Sequence, residues 1–271
     1  MGAPMAAHLA TAGYAVQSFD KRGGGTHASA RHAAEGVDLL VTMLPDGGVV
    51  RDVVLDALPA LKRGALVIDM SSSDPLGTQA LGAALAANEI GMVDAPVSGA
   101  VRGAKDATLA IMCGGSPADF ARARPVLEKM GRDIFHVGPL GAGHAVKALN
   151  NYLGAAGTLA GFEALLLARA LGLEPQPVLE AINASTGRNW TTERKIPQQV
   201  LTGAFGSGFK LALMVKDVAI AERLAKELGV DAPFLRETLK HWRAAAKAMP
   251  RDADHTEIYK YQAKRSKRRK R

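Results

Sequence analysis

Cysteine is almost absent from this 271-residue chain, with Cys113 standing alone. An intramolecular disulfide framework is therefore excluded, and a reducing, cytoplasmic setting fits. Uninterrupted apolar runs are short: none approaches the about 20 residues that a membrane span needs. No charged stretch followed by an apolar one opens the chain, so no secretory leader is visible. Internal repeats are missing and no metal is expected. Charge imbalance is also missing from most of the chain. The formal net charge is +8, but Lys264, Arg265, Lys267, Arg268, Arg269, Lys270 and Arg271 crowd the C-terminus, and the rest is almost neutral. The net charge is therefore no signal of nucleic-acid binding by the folded body. A run of like charges repels itself, so residues 262–271 are expected to be a disordered basic tail, limited to nonspecific contact with nucleic acid or acidic surfaces.

What is present is an ordinary globular composition, 48% hydrophobic and 22% charged, on a chain long enough for two domains. Through the first half, short β-branched runs alternate with longer helical stretches. Helices are expected over 2–13, 49–58, 78–88 and 117–130. Strands are expected over 15–19, 38–43, 66–70, from 92, over 108–113 and over 133–137. Such alternation predicts α/β units on a largely parallel sheet. Beyond Gly143 the pattern turns helical, beginning with an Ala/Leu/Gly-rich segment over 144–172. The expected organisation is a Rossmann-like α/β domain over 1–140, an all-α domain over 141–261, and the tail.

A dinucleotide site needs a glycine turn, a helix N-terminus facing the pyrophosphate, and an acid about twenty residues on for the ribose. Gly2 opens a helix and Asp20 stands at the acid's place. Arg22 suits a ribose 2′-phosphate instead, which leaves NAD and NADP both open; by itself Gly2 reads equally as a plain helix start. In DAPVSGAVRGA (94–104), Ser98 and the backbone N–H groups around Gly99 suit a carboxylate, or form a turn only. In GPLGAGHAVKALNN (138–151), Lys147 and Asn151 are spaced i, i+4 and share a helix face. An ammonium desolvated among Ala145, Val146, Ala148 and Leu149 suits acid/base work; the alternative is a lysine whose stem snorkels to solvent. Lys216 and Asp217 lie inside another apolar helix, read either as a surface charge pair or as Asp217 orienting a neighbour while Lys216 reaches cofactor or substrate.

Together with TMLPD (42–46), DMSSSDP (69–75) and LMVKDVAIA (213–221), these segments resemble the β-hydroxyacid dehydrogenase family in order and spacing, from Met1 to about Tyr261. The resemblance implies reversible hydride transfer between NAD(P) and a small β-hydroxyacid or semialdehyde, at a site in the cleft between the two domains. It implies Lys147 as the acid/base with Asn151 as its partner, Ser98 and Gly99 as carboxylate ligands, and Leu44, Pro45, Ser72 and Phe209 beside the cofactor. Lys216 would touch cofactor or substrate. A homodimer or homotetramer through the helical domain is implied as well.

Three departures stand out. The family opens with a strand and a Gly-x-Gly turn, of which only Gly2 remains, so the first strand is expected to be missing. Ala100 stands where the family often has glycine, which would narrow the substrate pocket. From Gln262 the family's C-terminal helix gives way to the basic run. Two alternatives follow: an imine reductase-like enzyme, disfavoured by Lys147 and Asn151, and an inactive fragment that only binds or oligomerises.

Overall fold

The computed structural model describes residues 1–268. They divide into two compact units, one ending at Lys147 and the other beginning at Ala148.

The first unit is built on a six-stranded sheet. In chain order it comprises α1 (Gly2–Thr11), α2 (Ala30–Ala33), β1 (Leu39–Thr42), α3 (Gly47–Ala57), β2 (Leu66–Asp69) and α4 (Pro75–Ala86). There follow β3 (Gly91–Asp94), β4 (Val97–Ser98), α5 (Ala100–Lys105), β5 (Leu109–Gly114), α6 (Pro117–Leu127), β6 (Gly131–Gly138) and the start of α7 (Ala142–Ala170). Starts are written locally. Asp46 and Ser116 cap α3 and α6 by accepting from Val49 N at 3.0 Å and Asp119 N at 3.0 Å, and proline opens α4 and α6, where its missing N–H is no loss. Strand order is β1-β2-β3-β5-β4, with β6 also paired to β5. All four residues of β2 are buried, as suits a central strand covered on both faces. β1, β2 and β3 are parallel, in a register that aligns Thr42, Asp69 and Asp94 at their C-terminal ends. β5 runs antiparallel to β3 and β4, so the sheet is mixed rather than parallel throughout.

The strand expected over residues 15–19 does not form. The segment is mostly exposed, and Ser18 pairs only with the nearby Thr26 and His27, the latter donating from its N to Ser18 O at 3.0 Å. Among the described residues β1 is the end of the sheet on its side. A short extended stretch with no strand beside it has no ladder to join.

The second unit is helical: the rest of α7, α8 (Pro175–Asn183), a π-helix (Thr191–Leu201), α9 (Leu211–Glu227), α10 (Pro233–Ala248), a 3₁₀ turn (His255–Glu257) and α11 (Ile258–Arg268). Its core gathers Ala155, Phe162, Leu165, Ile196, Val218, Leu239 and Trp242. With 29 residues, α7 is long and apolar enough by composition to cross a membrane, contrary to the expectation that no segment is. Ala148, Ala155, Leu159, Phe162 and Leu165 carry its buried side into this core.

The compact units divide inside α7, whose first turn is bonded to the end of β3. The chain also stays helical from Gln262 to Arg268, where a disordered tail was expected. Gln262 Nε2 donates to Leu159 O at 3.4 Å, Ser266 Oγ donates to Gln262 O at 3.1 Å, and the Arg265 guanidinium stands 5.6 Å from the Tyr261 ring. These contacts tie the first turns of the basic segment down. The tail's last residues, 269–271, lie outside the described residues.

Candidate active site

In a sheet with parallel strands, ligands gather at the C-terminal ends, where helix N-termini and loops converge. Here that row is Thr42, Asp69 and Asp94. Asp69 Oδ1 accepts from Thr42 Oγ1 at 2.8 Å and from Ser71 N at 3.0 Å, and Oδ2 accepts from Ser73 Oγ at 2.8 Å. Ser71 Oγ in turn accepts from Leu44 N at 2.9 Å, fixing the loop that carries Leu44 and Pro45. Ser71 and Ser73 face inward, and Ser72, between them, is half-buried. Gly2 begins α1 beside this row, where an added Cβ would meet Met43 Cβ at 3.7 Å.

Asp94 holds the start of α7. Its carboxylate accepts from Gly141 N at 2.7 Å and His144 N at 2.6 Å, a charged acceptor at the positive end of a long helix. Two glycines permit this approach. A Cβ on Gly143 would lie 2.2 Å from Met112 O, and one on Gly114 would lie 2.4 Å from Asp94 Oδ1. Burial pushes the Asp94 carboxyl up, against the opposing effect of His144 and the two backbone donors. Lys147 follows on the next turn and is half-buried.

Ser98 is half-buried on β4 and pairs across to Ala110. The backbone then turns through two consecutive left-handed residues, Gly99 at φ +127° and Ala100 at φ +54°. For alanine this conformation is strained, which gives the glycine expected at this position a backbone reason.

Asp20 and Arg22 pair with each other. The guanidinium donates through Nε at 3.2 Å and Nη2 at 3.0 Å, and holds the carboxyl down at about 2. Both side chains are exposed.

In the second unit, Asn151 Nδ2 donates to Asp217 Oδ2 at 2.6 Å, and Asn151 Oδ1 accepts from Asn150 at 3.1 Å. Asp217 is 3% exposed. Its Oδ1 lies 3.0 Å from the Lys216 ammonium but receives no well-directed hydrogen bond. Of the two readings of Lys216 and Asp217, it is the inward carboxylate orienting a neighbour that the geometry matches. Phe209 is half-buried, edge-on to His255 with ring centroids 5.6 Å apart. Within the first unit, then, Gly2 and Leu44 are placed by contacts at the strand ends, through Met43 and Ser71, while Asp20 and Arg22 are paired with each other. Sequence reasoning assigned no role to Asp69, Asp94 or His144, although the two acids each close a strand and were quoted within the motifs.

Comparison with known proteins agrees with this architecture. Residues 1–138 match the NAD binding domain of 6-phosphogluconate dehydrogenase. Residues 141–262 match the family described as NAD-binding of NADP-dependent 3-hydroxyisobutyrate dehydrogenase. The chain belongs to the β-hydroxyacid dehydrogenase family. It is 37% identical to 2-(hydroxymethyl)glutarate dehydrogenase of Eubacterium barkeri, over 86% of this chain and 82% of that protein. It is 35% identical to NAD-dependent L-serine dehydrogenase of Pseudomonas aeruginosa, over 96% and 94%. The solved structure of Mycobacterium tuberculosis 3-hydroxyisobutyrate dehydrogenase with L-serine superposes with a TM-score of 0.91 at 35% identity, covering 97% and 95%. An imine reductase from Streptomyces aurantiacus, 21% identical at a TM-score of 0.61, shares the fold alone.

This family member is accordingly an NAD(P)-dependent hydroxyacid oxidoreductase, and its donor set fits the cofactor. The N-terminus of α1 has no side-chain cap and no acid in its first turn, which leaves backbone N–H groups and the positive helix end for a phosphate.

Proposed function

We propose that the chain interconverts a small carboxylate-bearing 3-hydroxyacid and its semialdehyde, with Lys147 as the acid/base. The carrying observation is the anchored start of α7. It sets an ammonium and, one turn on, an amide held by Asp217. In oxidation, neutral Lys147 accepts the hydroxyl proton through Nζ and returns it in reduction. Asn151 holds the substrate hydroxyl, with Asp217 fixing the amide's orientation. Ser98 and the N–H groups near Gly99 take the carboxylate, and Lys216 adds positive charge for substrate or cofactor. Gly2, Leu44, Pro45, Ser72 and Phe209 line the cofactor. When bound, NAD(P) supplies the hydride acceptor or donor. The closed Asp20 and Arg22 pair favours NAD, because Arg22 is occupied by the carboxylate instead of open to a 2′-phosphate.

We further read the chain as a cytoplasmic homodimer or homotetramer. The helical unit exposes Leu167, Leu171 and Phe234 at 67%, 77% and 79%, a pattern that suits association, and light scattering checks the mass. For the activity, Lys147→Ala should lower turnover by about 10³-fold or more while NADH affinity, read by fluorescence titration, stays within about threefold. Unchanged turnover refutes the role of Lys147. Absence of NADH and NADPH binding to the folded chain returns the inactive-fragment alternative.

A further inference from the structure

We infer that Asp69, His144 and Asp94 form a buried carboxylate–imidazolium–carboxylate set that acts as the positioning device for Lys147; this rests on the acid/base role proposed above. All three side chains are fully buried. His144 Nε2 lies 3.1 Å from Ser71 O, a carbonyl that only accepts, so Nε2 carries a proton. Nδ1 lies 2.8 Å from Thr78 Oγ1, and that hydroxyl also donates to Asp74 O at 3.0 Å. Thr78 has one proton, and with it committed to Asp74 O the hydroxyl receives a proton from Nδ1. A ring with both nitrogens protonated is a cation. It lies 3.5 Å from Asp69 Oδ2 and 3.6 Å from Asp94 Oδ2.

The opposite rotamer of Thr78 would satisfy a neutral ring, but it would then leave two fully buried carboxylates facing each other without a cation, or require Asp94, whose carboxyl burial pushes up, to hold a proton against the two backbone N–H groups that donate to it. Each carboxylate receives hydrogen bonds as an anion: three at Asp69, two at Asp94. The groups facing the ring come from β2 (Asp69), β3 (Asp94) and α4 (Thr78). From β5, Cys113 feels the charge of Asp94, and its thiol, pushed up to about 12 chiefly by burial, stays neutral.

The consequence is mechanical. Asp94 grips α7 through two backbone N–H groups, and the His144 ring bolts the same turn to β2 and α4. Lys147 is three residues beyond His144, on the same side of the helix. A shift of the first turn therefore moves the lysine, and a displacement of about 1 Å at a reacting group lowers rate by about 100-fold.

The test has two arms. In the full-length chain with ¹⁵N-labelled histidine, NMR at pH 7 should show both ring nitrogens of His144 protonated, and a single ring N–H overturns the charge assignment. Kinetically, His144→Gln should lower kcat about 10- to 100-fold with KM and NADH affinity within about threefold, rates being normalised to cofactor-binding sites so that unfolded protein does not count. Full kcat overturns the positioning role. Should His144→Gln fail to fold, Thr78→Ser, which keeps the hydroxyl, should retain kcat while Thr78→Val loses it; equal rates in the two also overturn it. If Lys147→Ala proves harmless, the acid/base reading falls on its own, and the NMR arm still decides the charge set.

Discussion

Replacing Lys195 with methionine should stabilise the helical unit, and only below a definable pH. Lys195 lies midway along the π-helix with its ammonium 2.7 Å from Thr158 Oγ1. Thr158 donates its own proton to Gly154 O at 2.7 Å, so it serves the lysine as an acceptor. Burial pulls the amine down from 10.5 to about 8, against the attraction of Asp254. That difference corresponds to about 3 kcal/mol disfavouring the charged form in the folded chain. Residual solvent contact and relaxation reduce it to about 2 kcal/mol. The sign follows from proton counting. Below pH 8 the amine is charged in folded and unfolded chains alike, and the penalty is full. Between pH 8 and 10.5 the folded chain has released a proton that the unfolded chain retains, so stability rises with pH. Above 10.5 both are neutral and the penalty is gone. Lys195→Met keeps the apolar stem and removes the charge. It should gain about 2 kcal/mol at pH 7 and lose more than half of that advantage by pH 9.5. Urea unfolding followed by fluorescence of Trp242, buried in the same unit, reads the difference directly. A variant no more stable than the parent at pH 7, or equally advantaged at both pH values, refutes the reasoning.

Two further substitutions probe the backbone. Ala100→Gly relieves a left-handed alanine at φ +54° and should raise stability by about 0.5–1 kcal/mol, the strain relief exceeding the entropy gained by the unfolded chain; a fall in Tm would contradict it. Gly143→Ala drives a Cβ to within 2.2 Å of Met112 O, where only movement of α7 away from β5 makes room. It should destabilise the first unit by about 3 kcal/mol or more and weaken turnover along with it. Thermal unfolding followed by calorimetry checks both.

The signals legible in the sequence are the local ones. An i, i+4 pair of Lys147 and Asn151 shares a helix face wherever that helix goes, and α7 forms across both. Ser98 and Gly99 stood in a strand-to-helix connection whose backbone turn depends on a few adjacent residues. Strand ends fell within one or two residues of their expected places in β2, β5 and β6, where apolar runs are bounded by turn formers. Local reading failed where pairing decides. Residues 15–19 have the composition of a strand, yet no neighbour offers them a ladder. Gln262 to Arg268 have the composition of a solvated tail, yet continue a helix whose first turns are tied to α7.

The sequence by itself determined the alternation of elements, the helical second half, and the placing of an ammonium and an amide one turn apart, because periodicity and spacing along a single element need nothing from the rest of the chain. Only the tertiary structure decided that Asp94, 50 residues from His144, accepts the first N–H groups of α7, that Asp69 faces the same imidazole from the next strand, and that Asp217 orients Asn151 from another helix. Those contacts join positions whose separation in sequence has no period, and the burial that gives each charge its effect exists only once the strands and helices are packed.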